Sequence, residues 1–185
     1  DNKKWTYSTW VKRGKLGDNQ VFGLGAAVSS TGTKAAYQIF GPSDANTIQH
    51  YSEYYHGTGT TGNLTTNAVF IDPHAWMHIV MMYDSANSTE DQRQKLYVNG
   101  VQITSFSTET YPNQNTQPPI NSAIAHNIGV VNGLYYFSGY LAECVFCDGQ
   151  VYEASDFGES NNGIWRPKDP SGLTFGNNGF YLDFA

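Results

Sequence analysis

Residues 92–104, QRQKLYVNGVQIT, join two short period-two stretches through the pair Asn99-Gly100. Asn-Gly is the preferred pair for a type I′ turn, which needs positive φ at both centres and matches the twist of the strands it connects. A two-residue loop sets Val98 opposite Val101 and Leu96 opposite Ile103, so these four apolar side chains are expected to share one face. Tyr97, Gln102 and Thr104 then fall on the other face. This hairpin describes an antiparallel sheet with one face packed and the other mixed or wet, and it requires a second sheet to cover the packed side.

Working outward, strand-like segments recur at short spacing. Trp5–Arg13 alternates Trp5, Tyr7, Thr9, Val11 against Thr6, Ser8, Trp10, Lys12. Gln20–Val28, Ala35–Phe40, Thr47–Tyr55, Leu64–Ile71, Trp76–Tyr83, Ala125–Gly129, Tyr135–Cys147 and Gly179–Phe184 follow, separated by Gly, Ser, Asp and Asn. Such spacing predicts an all-β sandwich. One short helix is expected at Ala154–Glu159, with Pro167 and Pro170 stopping anything longer. No fixed-period repeat suggests a solenoid or propeller.

Composition agrees. Only 14% of the 185 residues are charged, so the polar share rests on Ser, Thr, Asn, Gln and Gly, the residues of turns between strands. No linker-like run divides the chain, and residues 1–185 read as a single domain. The start at Asp1, directly before a strand, is what a piece of a longer chain or assembly would show. No apolar run is long enough to cross a membrane as a helix, so no membrane insertion is expected. A net charge of −6 without a basic stripe disfavours a nucleic-acid partner. Lys3, Lys4, Lys12, Arg13 and Lys15 do gather, and are read as a solvated edge that discourages strand pairing between molecules, with contact to an anionic partner as the alternative.

Cys144 and Cys147 lie three apart in a predicted strand and should point to opposite faces, unable to bridge each other. Cys144 is expected on a core face with Tyr140, Ala142 and Phe146. A lone CxxC without two further ligands is a poor zinc site. The sequons at Asn63 and Asn87 matter only in a secreted eukaryotic chain.

The series WTYSTWVKR (5–13), AWMHIVMMYDS (75–85), KLYVNGVQI (95–103), NIGVVNG (127–133) and FSGYLAECVFCDGQVYEASDFGE (137–159) resembles the laminin-G-like branch of the concanavalin A-like lectin/glucanase superfamily. The similarity is greatest to such domains in virion and tail proteins of tailed bacteriophages, where a segment like NGFYLDF (178–184) follows. The resemblance implies a two-sheet antiparallel jelly-roll sandwich of roughly a dozen strands, with the terminal strands close together. It also implies a virion setting, with host-surface glycan and other virion proteins as partners.

Fold does not give function, and the superfamily's members include lectins, glycosidases, adhesion modules and structural domains. Retaining glycosidases need two carboxylates about 5 Å apart on one face. Glu143 is followed on its own predicted face by Val145 and Cys147, so a hydrolase is disfavoured. No cofactor is required by anything in the chain. Asp84, Asn87, Glu90 and Asp91 are hard oxygen donors within eight residues, a candidate calcium loop, and the resemblance implies such ions at loop rims. For sugar recognition, HYSEYYHG (50–57) offers Tyr51, Tyr54, Tyr55 and His56 beside Glu53, with one alternating set expected to line the core. Trp165 is a second stacking candidate, or else a lid on the sandwich. His78 reads as a hydrogen-bonded structural residue.

Trp76–Tyr83 is apolar on both faces. Either loops cover its outer side or another subunit does, and since phage appendages are commonly trimers, a homo-oligomer is expected. Three functions compete: a glycan-binding module, a structural or decoration domain, and the disfavoured hydrolase.

Overall fold

The computed structural model describes residues 2–17, 19–27, 35–41, 45–53, 62–131 and 133–184. Among them the chain runs through β1 (Lys4–Arg13), β2 (Gln20–Val21), β3 (Leu24–Ala27), β4 (Ala35–Phe40), β5 (Ile48–Ser52) and β6 (Gly62–Thr66). It continues through β7 (Met77–Asp84), β8 (Gln94–Val98), β9 (Val101–Gln102), β10 (Phe106–Thr110), β11 (His126–Ile128) and β12 (Gly139–Asp148). Helix α1 (Ala154–Phe157), the hairpin β13 (Gly158–Asn161) and β14 (Ile164–Pro167), and β15 (Phe180–Leu182) complete it.

Two antiparallel sheets form the sandwich. One runs β15-β12-β1-β7-β8-β9 and the other β10-β6-β5-β4-β3-β11, with β2 also paired to β4. Both terminal strands flank β12, which places them close together as the jelly-roll expectation required. Trp5, Tyr7, Val11, Phe40, Ile48, Leu64 and Leu96 fill the space between the sheets. There Trp5 stacks on Tyr83 at 5.3 Å and meets His50 edge-on at 5.7 Å.

The hairpin has the expected register. Val98 faces Val101, Tyr97 faces Gln102, and Ile103 N–H donates to Leu96 C=O at 2.8 Å. Both turn residues have positive φ, 48° at Asn99 and 83° at Gly100. The expected sharing of faces is corrected on two counts. Leu96 and Val98 are core, but Val101 is 67% exposed because two-residue β9 is the sheet edge, with no strand beyond it among the described residues. Tyr97, assigned to the mixed or wet face, is 6% exposed.

What covers Tyr97 is the chain after Asp148. Val80, Tyr97, Val145 and Cys147 on the outer face pack under Ala154 and Phe157 of α1, with Tyr152, Trp165 and Phe175 around them. The helix starts where Glu153 N–H donates to Asp156 Oδ2 at 2.8 Å, and ends after four residues, short of the expected Glu159, because Gly158 opens an extended hairpin. All eight residues of β7 are therefore buried by their own chain, and the apolar outer face that motivated the trimer expectation needs no second subunit. Trp76, just outside the strand, stays 41% exposed.

β12 carries the second correction. Its register against β1 slips between Ser8↔Val145 and Trp10↔Ala142, and Glu143 sits at φ 51°. One extra residue reverses the alternation, so Cys144 and Phe146 enter the core while Tyr140, 63% exposed, does not join them. Cys144 Sγ lies 3.0 Å from Thr9 Oγ1, and Cys147 is under α1, so the two free thiols do point apart. The third concerns Arg13, which is 1% exposed rather than part of a solvated edge. Its Nη1 donates to Phe70 C=O at 2.6 Å and its guanidinium lies 4.6 Å from the Phe40 ring centre, because β1 ends between the sheets. Burial lowers its pKa.

Candidate functional site

Alternation along β4, β5 and β6 turns Ala36, Phe40, Ile48, His50 and Leu64 inward. Tyr37, Ile39, Gln49, Tyr51, Asn63 and Thr65 consequently face outward, in rungs Tyr37↔Tyr51↔Asn63 and Ile39↔Gln49↔Thr65. Tyr37 and Tyr51 stack at 5.1 Å with 24° between ring planes. Beside them Gln49 Nε2 donates to Asn63 Oδ1 at 3.0 Å and to Thr65 Oγ1 at 3.2 Å. Tyr51 O–H donates to Glu53 Oε1 at 2.7 Å, and Glu53 Oε2 accepts from Ala35 N–H at 3.2 Å.

Tyr37 is seated on Val21, Ile39 and Val131. Burial, with help from Tyr135 and Glu53, raises its pKa to about 12. Burial and the Glu53 hydrogen bond raise that of Tyr51 as well. Both phenols thus stay neutral at ordinary pH, giving a pair of aromatic rings flanked by amide, hydroxyl and carboxylate groups.

Of the sequence candidates, Tyr51 is on this face. Tyr54, Tyr55 and His56 lie outside the described residues. His50 belongs to the core: its Nδ1 is 3.1 Å from Gln38 Nε2, and burial lowers its pKa to about 3. Tyr37, Gln49 and Asn63 join Tyr51 on the outer face without having been expected from the sequence. The alternation of each strand was visible, but their union in rungs depends on which strands become neighbours.

Trp165 lies on the opposite side of the sandwich, in β14 over the outer face of the six-stranded sheet. Its indole N–H donates to His78 Nδ1 at 2.9 Å. His78 then carries its proton on Nε2 and donates to Ser8 Oγ at 2.8 Å, the neutral tautomer that burial enforces by lowering its pKa to about 4. Trp10 stacks on His78 at 5.1 Å, and His78 on Trp165 at 6.0 Å. Trp10, Trp76 and Trp165, with Glu143 and Arg166, line a groove of about 280 Å³.

The candidate calcium loop is organised otherwise. Asp84 Oδ2 pairs with Lys4 Nζ at 3.4 Å, and Asp84 Oδ1 accepts from Ala86 N–H at 3.1 Å. Asn87 Oδ1 accepts from Thr89 N–H at 2.9 Å, while Glu90 and Asp91 enter a 3-10 turn. The Arg93 guanidinium gathers the carbonyls of Asn87, Ser88 and Pro112 at 2.9–3.2 Å. Among the described residues, Asp84, Glu90 and Asp91 do not come together as a metal-binding group.

A further cavity of about 470 Å³ opens beside Leu24, Phe146 and Phe180. Its polar rim is bonded internally: Asn121 Nδ2 donates to Asp148 Oδ1 at 2.6 Å, Asn178 Nδ2 to Asn121 Oδ1 at 3.1 Å, and Asn121 N–H to His126 Nε2 at 2.9 Å.

The Laminin_G_3 family profile, described as the concanavalin A-like lectin/glucanases superfamily, matches residues 1–154. No curated protein matches. Among solved structures, the CBM40 of the Ruminococcus gnavus IT-sialidase is 12% identical, covers 84% of this chain and 80% of its own, and superposes with a TM-score of 0.56. A putative carbohydrate binding protein from Bacteroides ovatus is 12% identical, with 90% of this chain and 49% of that one covered, at a TM-score of 0.51. Domain 4 of a GH43 extracellular arabinanase from Geobacillus stearothermophilus, solved with arabinotriose, is 16% identical over 81% of this chain at a TM-score of 0.48. The chain spans 63% of that arabinanase structure. At these identities the likeness is one of fold.

Proposed function

This chain belongs to the Laminin_G_3 family of the concanavalin A-like lectin/glucanase superfamily, and we propose from that premise that it is a non-catalytic module that binds carbohydrate. The observation that carries the reading is the stacked Tyr37–Tyr51 pair beside Gln49, Asn63 and Glu53. A sugar ring needs an apolar plate for its C–H face and short polar groups for its hydroxyls, and this sheet face supplies both. The two acids of β12 support binding over hydrolysis. Glu143 Oε2 accepts from Tyr181 O–H at 2.6 Å, whereas Asp148 accepts from Asn121 and Asn178, five positions away along the strand.

The sequence resemblance to tail and virion domains supports placing the module on a bacteriophage particle, with a host-surface glycan as its partner. Shallow contacts of this kind gain strength by repetition, which fits a multimeric appendage. A second reading, a decoration domain contacting other virion proteins, draws on Tyr135, Tyr136, Tyr140 and Phe184, all 45–66% exposed.

The test is an array of bacterial surface polysaccharides probed with wild-type protein and Tyr51→Ala, with calcium and again with chelator. Selective binding lost in Tyr51→Ala is the expected result, and loss in chelator would add a metal to the reading. Silence of a multimerised wild type in both conditions sinks the glycan reading and favours virion architecture.

A further inference from the structure

We propose that the tryptophan groove over the six-stranded sheet is a second carbohydrate site, so that one domain holds two glycan chains on opposite faces. The inference rests on the reading of the domain as a glycan binder, but on different residues.

Three features mark the groove as built. The first is the setting of Trp165. A Cβ on Gly158 would come within 2.5 Å of its ring, and one on Gly100 within 2.7 Å, so the indole lies directly against two bare backbones. The hydrogen bond to His78 sets its rotation. The ring is thus pre-organised, which lowers the cost of binding. The second is the aromatic lining, Trp10 and Trp165, both stacked on the buried His78, with half-exposed Trp76 at the rim. The third is Glu143, which reaches the groove from a bulge in left-handed conformation, φ 51°. Bulges re-aim side chains, and a strained non-glycine residue persists where its surroundings hold it.

The polar groups select the occupant. A carboxylate offers about four acceptor sites, and Tyr181 takes one on Glu143. Arg166 has five N–H donors, and its bonds to Glu159 through Nε and Nη2 use two. An acceptor and a donor therefore flank an apolar plate. A bare cation would bond Glu143 but leave the remaining Arg166 donors without an acceptor, and a purely aromatic ligand would desolvate both groups without bonding either. A hydroxylated ring with an apolar face satisfies all three, and the groove volume suits a sugar unit rather than a folded peptide.

The experiment titrates wild type, Tyr51→Ala, Trp76→Ala and Glu143→Gln with oligosaccharides of hexose, N-acetylhexosamine, pentose and uronic acid, by calorimetry and tryptophan fluorescence. Tetramethylammonium serves as the cation probe. The expected result is two sugars per wild-type chain and one in Tyr51→Ala or Trp76→Ala. The fluorescence response should be retained in Tyr51→Ala and lost in Trp76→Ala, with affinity at the groove about tenfold weaker in Glu143→Gln, equivalent to ~1.4 kcal/mol. Wild type should also cross-link a polysaccharide made of the bound sugar, and either aromatic variant should not. One sugar per chain, lost in Tyr51→Ala and untouched in Trp76→Ala and Glu143→Gln, overturns the second site and leaves the first standing. One sugar per chain lost only in Trp76→Ala overturns the two-sided reading and the tyrosine face with it. Quenching by tetramethylammonium in place of sugars, or by nothing at millimolar concentration, overturns the proposal as well.

Discussion

The two outer faces of this sandwich began with similar problems and met opposite fates. On the six-stranded sheet, Val80, Tyr97, Val145 and Cys147 formed an apolar outer surface, and the chain after Asp148 folded over it. On the seven-stranded sheet the central rungs carry Gln49, Asn63 and Thr65 with Tyr51, and these stay half-exposed. The difference follows from the cost of wet apolar area. A Val or Phe side chain gains roughly 1.5–3 kcal/mol on full burial, so an apolar strand face recruits a cover, while an amide-and-hydroxyl face can remain available to a ligand. Aromatic residues occur on both faces. Their neighbours tell which are cover and which are platform, and Trp165 is placed to be both.

That contrast can be broken most directly at the cover. Phe157→Ala is expected to cost about 3–5 kcal/mol in denaturant unfolding, because Phe157 is 4% exposed over the outer face. A loss under about 1 kcal/mol would mean that the cover is an accessory rather than part of the cooperative fold.

The next effect is pH. His78 under the cover and His50 between the sheets have folded-state pKa values lowered by burial to about 4 and about 3. The unfolded chain takes up protons on these rings below about pH 6.5 and the folded chain does not. The contribution of these two rings should therefore be level above that pH and fall as pH drops toward 4, by on the order of 3 kcal/mol through His78 alone. Unfolding curves that stay level down to about pH 4.5 would contradict two enclosed neutral imidazoles.

Trp165→Phe keeps an aromatic cover but removes the donor to His78 Nδ1. A loss of about 1–2 kcal/mol is expected in thermal or denaturant unfolding, the cost of an unsatisfied buried acceptor. The smallest stability change is expected on the open face. Tyr51→Ala should shift stability by about 1 kcal/mol or less, through the lost Tyr37 stacking, while removing glycan binding in the array. A much larger loss would make Tyr51 a structural residue and remove the contrast between the faces.

Much of this was legible because it is local. The Asn99-Gly100 turn, the alternation of β1 and β4, and the short helix at Ala154 all depend on neighbours within a few residues. Glu143 was not legible in its true setting, since a bulge exists only relative to the strand it faces. Arg13 looked like a surface cation beside Lys12 and Lys15, and its burial depends on Phe40 and Phe70 arriving from elsewhere. The β13–β14 hairpin has weak alternation of its own and is held down by Trp165 reaching His78, 87 positions earlier.

The order of turns and apolar alternation thus determined an antiparallel two-sheet sandwich, because period and turn chemistry act through the chain itself. Which face was covered, which tyrosines met across strands, and which tryptophans came to share a groove were decided only by tertiary structure. Those outcomes depend on the pairing of strands far apart in sequence, and on where a segment with exposed apolar area to match finally packs.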